Sequence, residues 1–266
     1  MGHNAQKRVA HRRSLFQLPS FTRVSTDLRD GREEHTLETA IATYENPDNG
    51  KTVTLIGMSH LGSAEYYAEI QAVLDQHQSV FYEGINNKIN PVPWYRKLSP
   101  SGLFFRAESY WRKSFRKAAG LESQAAHIKY KERPQWTNVD ISANDLIRYT
   151  NRGVALNPVS RVLNYAKMYA GAAAMAVTAP FLRFSSPEKC REKLINRGAH
   201  ESDHREPIIG GLREGLVTDH LRQWNSDATK RKLAVQYGAH HQLELQRYLV
   251  IQLGYELKDV QWMKVF

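Results

Sequence analysis

The stretch Thr52–Gly84, TVTLIGMSHLGSAEYYAEIQAVLDQHQSVFYEG, decides how this chain is read. An apolar, β-branched run stops at Gly57-Met58-Ser59-His60. A helical pattern follows, and a second apolar run, SVFYE, stops at Glu83. Ser63 stands where an N-cap belongs, Glu65 falls in the first turn, and Tyr66, Ile70, Val73 and Leu74 recur at helical spacing. The pattern predicts two parallel strands joined by a crossover helix over 52–83. In open parallel sheets, ligands bind beyond the carboxyl ends of the strands, which is where His60 and Glu83 fall.

Upstream, ETAIATYENPDNGKTVTLIGM reads as a β-hairpin, since Asn49-Gly50 supplies the positive φ angles of a tight turn. Downstream of 84 the character changes. NPVPWYRKLSPSG is loop-like, and LFFRAESYWRKSFRKAAG is a basic, aromatic helix. QWTNVDISANDLIRY predicts a short strand ending at Asp140, with Ser142 capping a helix. Residues 158–197 read as helical with breaks near Pro180 and Pro187, HESDHREP as a polar loop, and GGLREGLVTDHLRQW as a helix. RKLAVQYGAHHQLELQRYLVIQLGYELKDVQWM then predicts a second βαβ unit. The expected fold is α/β: a mostly parallel central sheet with βαβ units at both ends of the chain, an antiparallel hairpin edge, and a helical insertion at about 85–200. A single domain is expected over 36–266, preceded by a basic tail, 1–35.

Composition sets broad limits. The chain has 266 residues, 41% of them hydrophobic, which supports a packed core. Net charge is +10, and part of the excess lies in residues 1–26, where Lys7, Arg8, Arg12, Arg13 and Arg23 occur without an acid. Such a segment is a tail, or resembles an organelle-import sequence; without import, the cytoplasm is the expected compartment. Cys190 is the single cysteine, which excludes an internal disulfide and a cysteine-rich zinc site. The most apolar stretch, MYAGAAAMAVTAPFL (168–182), is short and interrupted by Pro180, so a packing helix is expected, with peripheral membrane contact as the alternative.

Both βαβ units carry Gly-x-x-His at the strand-to-helix junction: Gly57–His60 and Gly238–His241. With Glu83 and Asp140, these histidines stand at four expected strand ends and face one crevice if the strands are neighbours. Two imidazoles and a carboxylate suit a divalent metal, with a position left for a water that the ion acidifies. Zinc, manganese, iron and cobalt all accept such ligands. His240 adjoins His241, but only His241 completes the repeated spacing.

On these residues the chain resembles the TraB/PrgY/GumN/TIKI group. The opening segment carries strand, Gly-x-x-His, helix, and strand ending in glutamate. LREGLVTDHL with KLAVQYGAHHQLELQRYLVIQLGYEL is similar to the group's closing block. His60, Glu83, Arg213 and His241 occupy the group's characteristic polar positions, and Asp140 falls where an aspartate often follows the middle strand. The resemblance implies a fold related to erythromycin-esterase-like and ChaN-like proteins. It also implies metal-dependent peptidase activity, as in the TIKI branch, or removal or sequestration of a signalling peptide, as in the pheromone-shutdown branch. It covers 40–84 and 205–262. Two departures concern substrate handling: Glu214-Gly215 follows Arg213 where an asparagine is usual, and Ile141 follows Asp140 where an arginine is usual.

The roles that follow are metal binding by His60, Glu83 and His241, with Glu83 thereby part of the catalytic set. Arg213 is expected to stabilise negative charge and bind substrate, and Asp140 to orient a ligand histidine or act as a base. The segment WYRKLSPSGLFFRAESYWRKSFRK interleaves aromatics with cations, as single-stranded nucleic-acid binders and interfacial helices do. An amphipathic core helix is favoured over nucleic acid, and Trp94, Phe104, Phe105 and Trp111 are candidate walls for a peptide substrate.

Overall fold

The computed structural model describes residues 20–85, 90–152, 158–200 and 207–266. A mostly parallel sheet lies between two helical layers, with a helical insertion beside it. The strands are β1 (Thr22–Arg29), β2 (Arg32–Glu45), β3 (Thr52–Met58), β4 (Leu61–Gly62), β5 (Ser79–Tyr82), β6 (Glu122–Ser123), β7 (Trp136–Asn138), β8 (Lys232–Gly238) and β9 (Glu256–Lys264). The longer helices are α1 (Ala64–Leu74), α2 (Pro100–Ala119), α3 (Ala143–Arg152), α4 (Pro158–Thr178), α5 (Pro187–His200), α6 (Pro207–Ser226) and α7 (Gln242–Leu253).

Strands β3, β8, β5 and β7 are neighbours in that order and all parallel. The hairpin forms as expected: β2 pairs antiparallel with β3, from Glu45↔Thr52 to Ile41↔Ile56. The strand order differs from the expected pair of simple βαβ units. β8 inserts between β3 and β5, so the first crossover passes over it. β9 does not pair with β8; it runs antiparallel along β2, from Glu38↔Lys264 to Glu45↔Glu256. The hairpin thus forms the antiparallel side of the sheet, extended by β1 and β9: β2 has β9 along one side from Glu38 to Glu45, and β1 and β3 along the other. Apolar pattern fixes which face of a strand is buried, but not which equally apolar strand lies beside it.

The N-terminal segment also differs. Residues 22–35, expected in the tail, form β1 and the start of β2, paired from Arg29↔Arg32 to Thr22↔Thr39. Asp30 (φ 52°) and Gly31 (φ 74°) make the turn, a tight-turn pair of the kind that joins two-residue hairpins. Residues 1–19, and most of the expected loop HESDHREP, lie outside the described residues.

Alternation along each strand assigns residues to a layer. Val53 and Leu55 of β3, Leu233, Val235 and Tyr237 of β8, and Phe81 of β5 pack against Val217, Leu221 and Trp224 of α6 and Leu245 and Leu249 of α7. Ile56, Met58, Ala234 and Val80 face the other way, onto Tyr66, Tyr67, Ile70 and Leu74 of α1. Ser63 caps α1 by accepting from Tyr66 N–H at 3.1 Å. Ser142 caps α3 by accepting from Asp145 N–H at 3.0 Å. In the insertion, α2 begins at Ser99-Pro100 and ends on Gly120 in the left-handed conformation, the asymmetry usual for helix ends. The breaks expected near Pro180 and Pro187 are present: a 3-10 turn, Ala179–Phe184, separates α4 from α5.

One buried cation fixes α6, the helix that carries Arg213. Lys51, at the hairpin turn, is 3% exposed. Its Nζ donates to the carbonyls of Asn225 (2.6 Å) and Asp227 (2.8 Å) at the end of α6, placing positive charge at the negative end of the helix dipole. Lys51→Met is expected to lower the unfolding free energy by about 1–3 kcal/mol, because those carbonyls lose a charged donor. A urea denaturation curve unchanged from wild type would show that the cap contributes nothing.

Candidate functional site

The carboxyl ends of β3, β5, β7 and β8 deliver His60, Glu83, Asp140 and the pair His240-His241 to one rim. Strand parity sets their directions. Glu83 follows Phe81 by two residues and so turns to the α6 side, where Arg213 lies. Gln236, one residue from Tyr237, turns to the α1 side.

Glu83 is the centre of the cluster. It is 6% exposed. Its Oε1 accepts from Arg213 Nη2 and its Oε2 from the Gly238 backbone N–H. His60 Nε2 stands 4.0 Å from Oε1. Burial alone pushes this carboxyl up, but His60, Arg213, His241 and the Gly238 N–H together bring it down to about 2. The glycine at 238 provides the close approach: a Cβ there would stand 3.1 Å from His240 Cε1 and 3.2 Å from Glu83 Oε2. Gly57 likewise leaves room, since a Cβ would meet the Ala40 carbonyl at 3.1 Å. Neither glycine of the repeated motif takes a positive φ; both provide space rather than a left-handed bend.

Asp140 has a different role from either one expected. Its side chain is fully buried. Oδ1 accepts from Arg213 Nε (2.8 Å) and Ile141 N–H (2.7 Å), and Oδ2 from Arg213 Nη2 (2.8 Å) and Gly84 N–H (3.1 Å). With four donors on two oxygens it neither orients a histidine nor has a free oxygen for base chemistry. It holds Arg213 against Glu83. Desolvation works against the guanidinium charge, but the two carboxylates outweigh it and raise the pKa further above its ordinary value.

The carboxylate that orients a histidine is Glu214, which sequence reasoning passed over as a departure from the usual asparagine. Glu214 Oε1 lies 3.1 Å from His241 Nδ1. An ionised carboxylate only accepts, so this pair puts hydrogen on Nδ1. His241 Nε2 is then a bare acceptor, buried and without a hydrogen-bond partner among the described residues. His60 is held in a similar way from the insertion. Its Nδ1 lies 3.0 Å from Gln124 Oε1. Gln124 Nε2 donates to Tyr130 Oη (2.6 Å), which donates to Gln236 Oε1 (2.7 Å). Assigned from this chain of bonds, His60 also carries hydrogen on Nδ1 and presents Nε2. Nothing in the local sequence around Gln124 or Tyr130 signals this role, because their partners lie far along the chain. His240 packs on His241 with ring centroids 3.9 Å apart; burial, then the neighbouring His241, lowers its pKa to about 4.

The structure thus brings His60, Glu83, Asp140, Arg213 and His241 together. Among the described residues, no three His, Cys, Asp or Glu side chains already stand at the spacing that would hold a metal ion. Of the expected aromatic walls, Trp111 shares its apolar cluster with Leu61, the residue after His60. Trp111 stacks on Phe115 at 5.0 Å within the apolar packing of the insertion. Trp94 is 74% exposed and meets Tyr95 edge-on.

Comparisons of the chain with family models, with curated proteins and with solved structures find no match.

The depressed Glu83 carboxyl sets a pH dependence. Its folded-state pKa lies below the ordinary value of 4.5. The stability it contributes is therefore complete above pH 4.5 and is lost as pH falls towards 2. The urea midpoint of the wild type is expected to fall across that window. That of Glu83→Gln, lower at neutral pH, should fall less. Parallel curves would show that Glu83 titrates alike in the folded and unfolded chains.

Proposed function

We propose that this chain is a hydrolase that holds a divalent metal ion with His60, Glu83 and His241 and cleaves peptides. The observation that carries the reading is the buried Nε2 of His241, without a partner among the described residues and backed at Nδ1 by the Glu214 carboxylate. A carboxylate behind an imidazole fixes the tautomer and raises the basicity of the outward nitrogen, an arrangement common behind metal-binding histidines. His60 repeats it with an amide in place of the carboxylate. Each Glu83 oxygen accepts one hydrogen bond and keeps a second lone pair. The donor set therefore fits a metal by its chemistry, although its spacing is not yet that of a closed site.

When bound, such an ion acidifies a water near neutral pH and polarises a carbonyl. The chain's own groups act around it. Glu83, held ionised well below neutral pH, supplies negative charge to the rim. Glu214 and Gln124 keep the two imidazoles oriented. Arg213 spends Nε and Nη2 on the carboxylates, and among the described residues Nη1 remains to donate to an oxygen that gains negative charge. Peptide is the substrate class that the resemblance to the TIKI branch implies, and imidazole with carboxylate admits zinc, manganese, iron or cobalt. The other reading is a crevice that sequesters a signalling peptide without cleaving it.

Metal analysis of the purified protein, run beside hydrolysis of a fluorogenic peptide library, tests this. The wild type is expected to retain stoichiometric metal and to turn over. His60→Ala, Glu83→Ala and His241→Ala should lose both. Glu214→Gln should weaken metal affinity by roughly 10–100-fold. Arg213→Lys should keep the metal and lose roughly 10²–10³ in kcat. A wild type that stays metal-free when offered these ions, and that binds peptides without turnover, would overturn the hydrolase reading in favour of the binder.

A further inference from the structure

We propose that the outer face of the helical insertion, formed by α4 and the 3-10 turn after it, is a docking surface for an anionic lipid membrane. This does not rest on the reading of the metal site. The inner stripe of α4 is fixed by its contacts with α2 and α3: Tyr165 Oη donates to the Asn151 carbonyl at 3.0 Å, Met168 Sδ receives Ser101 Oγ at 3.3 Å, and Gly171 lies so close to Phe104 that a Cβ would come within 3.1 Å. The opposite face of a water-exposed helix is ordinarily charged. Here it carries Val159, Val162, Leu163 and Val177, followed by Phe181 and Phe184 on the turn, each 57–72% exposed, with alanines between them.

Charge selects the occupant. From Leu146 to Pro187 the sequence has no aspartate or glutamate and five cations: Arg148, Arg152, Arg161, Lys167 and Arg183. Lys167 and Arg183 are exposed, and the Arg183 guanidinium lies over the Phe184 ring, 4.6 Å from its centroid. Aliphatic and aromatic side chains bordered by cations, with no acid between Leu146 and Pro187, match the interface of an anionic bilayer. Two copies of the face would set cation against cation. Nucleic acid would meet the cations but leave the aliphatic surface in water. Among the described residues no helix is long and apolar enough to cross a membrane. The 21-residue α4, about 30 Å long, is therefore placed lying on the surface.

Flotation of the full chain with vesicles of phosphatidylcholine, with and without phosphatidylserine, tests the proposal. The wild type is expected to float with the phosphatidylserine vesicles, and less so as salt rises. Lys167→Ala and Arg183→Ala should each weaken partitioning about fivefold. Combined Val162→Glu, Leu163→Glu and Val177→Glu should abolish it with an unchanged thermal melt, since all three side chains are exposed. Wild-type protein that ignores both vesicle types would overturn the proposal. So would binding that survives all these substitutions, or a concentration-dependent dimer that the triple variant abolishes while vesicles are ignored.

Discussion

A buried carboxylate–guanidinium–carboxylate clamp organises this molecule. Glu83, Arg213 and Asp140 come from the end of β5, from α6 and from the end of β7. Removing charges from water costs several kcal/mol per ion in effective terms, and that cost is offset only by good geometry and further hydrogen bonds. Both conditions hold here. Arg213 reaches each carboxylate, Gly238 N–H serves Glu83, and Gly84 and Ile141 N–H groups serve Asp140. The clamp joins three strand ends to one helix, and the packing of α6 and α7 against β8 holds His240 and His241 beside it. Replacing Arg213 with an uncharged residue would leave two buried carboxylates facing each other, and the rim would have to take up protons or open.

The two faces of the sheet divide the work. The α6 side supplies the clamp and Glu214, which backs His241. The α1 side and the insertion supply Gln124, Tyr130 and Gln236, which back His60. The insertion meets the chain just after His60 through a separate two-stranded ribbon, β4 with β6, paired Leu61↔Ser123 and Gly62↔Glu122. His60, with a side chain 46% exposed, is thus the solvent-facing member of the cluster and Glu83 the enclosed one. Seen from solution, the imidazole lies in front and the clamp behind it.

Much of this was legible in the sequence, for local reasons. The caps at Ser63 and Ser142, the Asn49-Gly50 turn, the apolar strands and the repeated Gly-x-x-His depend on neighbours along the chain. The insertion of β8 between β3 and β5 depends on pairing between distant strands of similar composition, which periodicity does not encode. β1 was hidden by its polar, charged pattern, TRVSTDLR, although Asp30-Gly31 was a readable turn signal. The convergence of His60, Glu83, Arg213 and His241 followed from their positions at strand ends and in the helix of the closing block. Asp140 as a clamp rather than a base, and Glu214 and Gln124 as partners of the histidines, did not follow. Those pairings form across 27 to 73 residues of chain.

The most direct measurement of the central claim is a double-mutant cycle between Glu83→Gln and Arg213→Met, read by urea denaturation at neutral pH. The clamp requires strong coupling, on the order of 2–5 kcal/mol, because each single variant leaves a buried charge with fewer partners. Additive effects, with no coupling beyond error, would mean that Glu83 and Arg213 do not act on each other in the folded chain, and the site built around them would have to be abandoned.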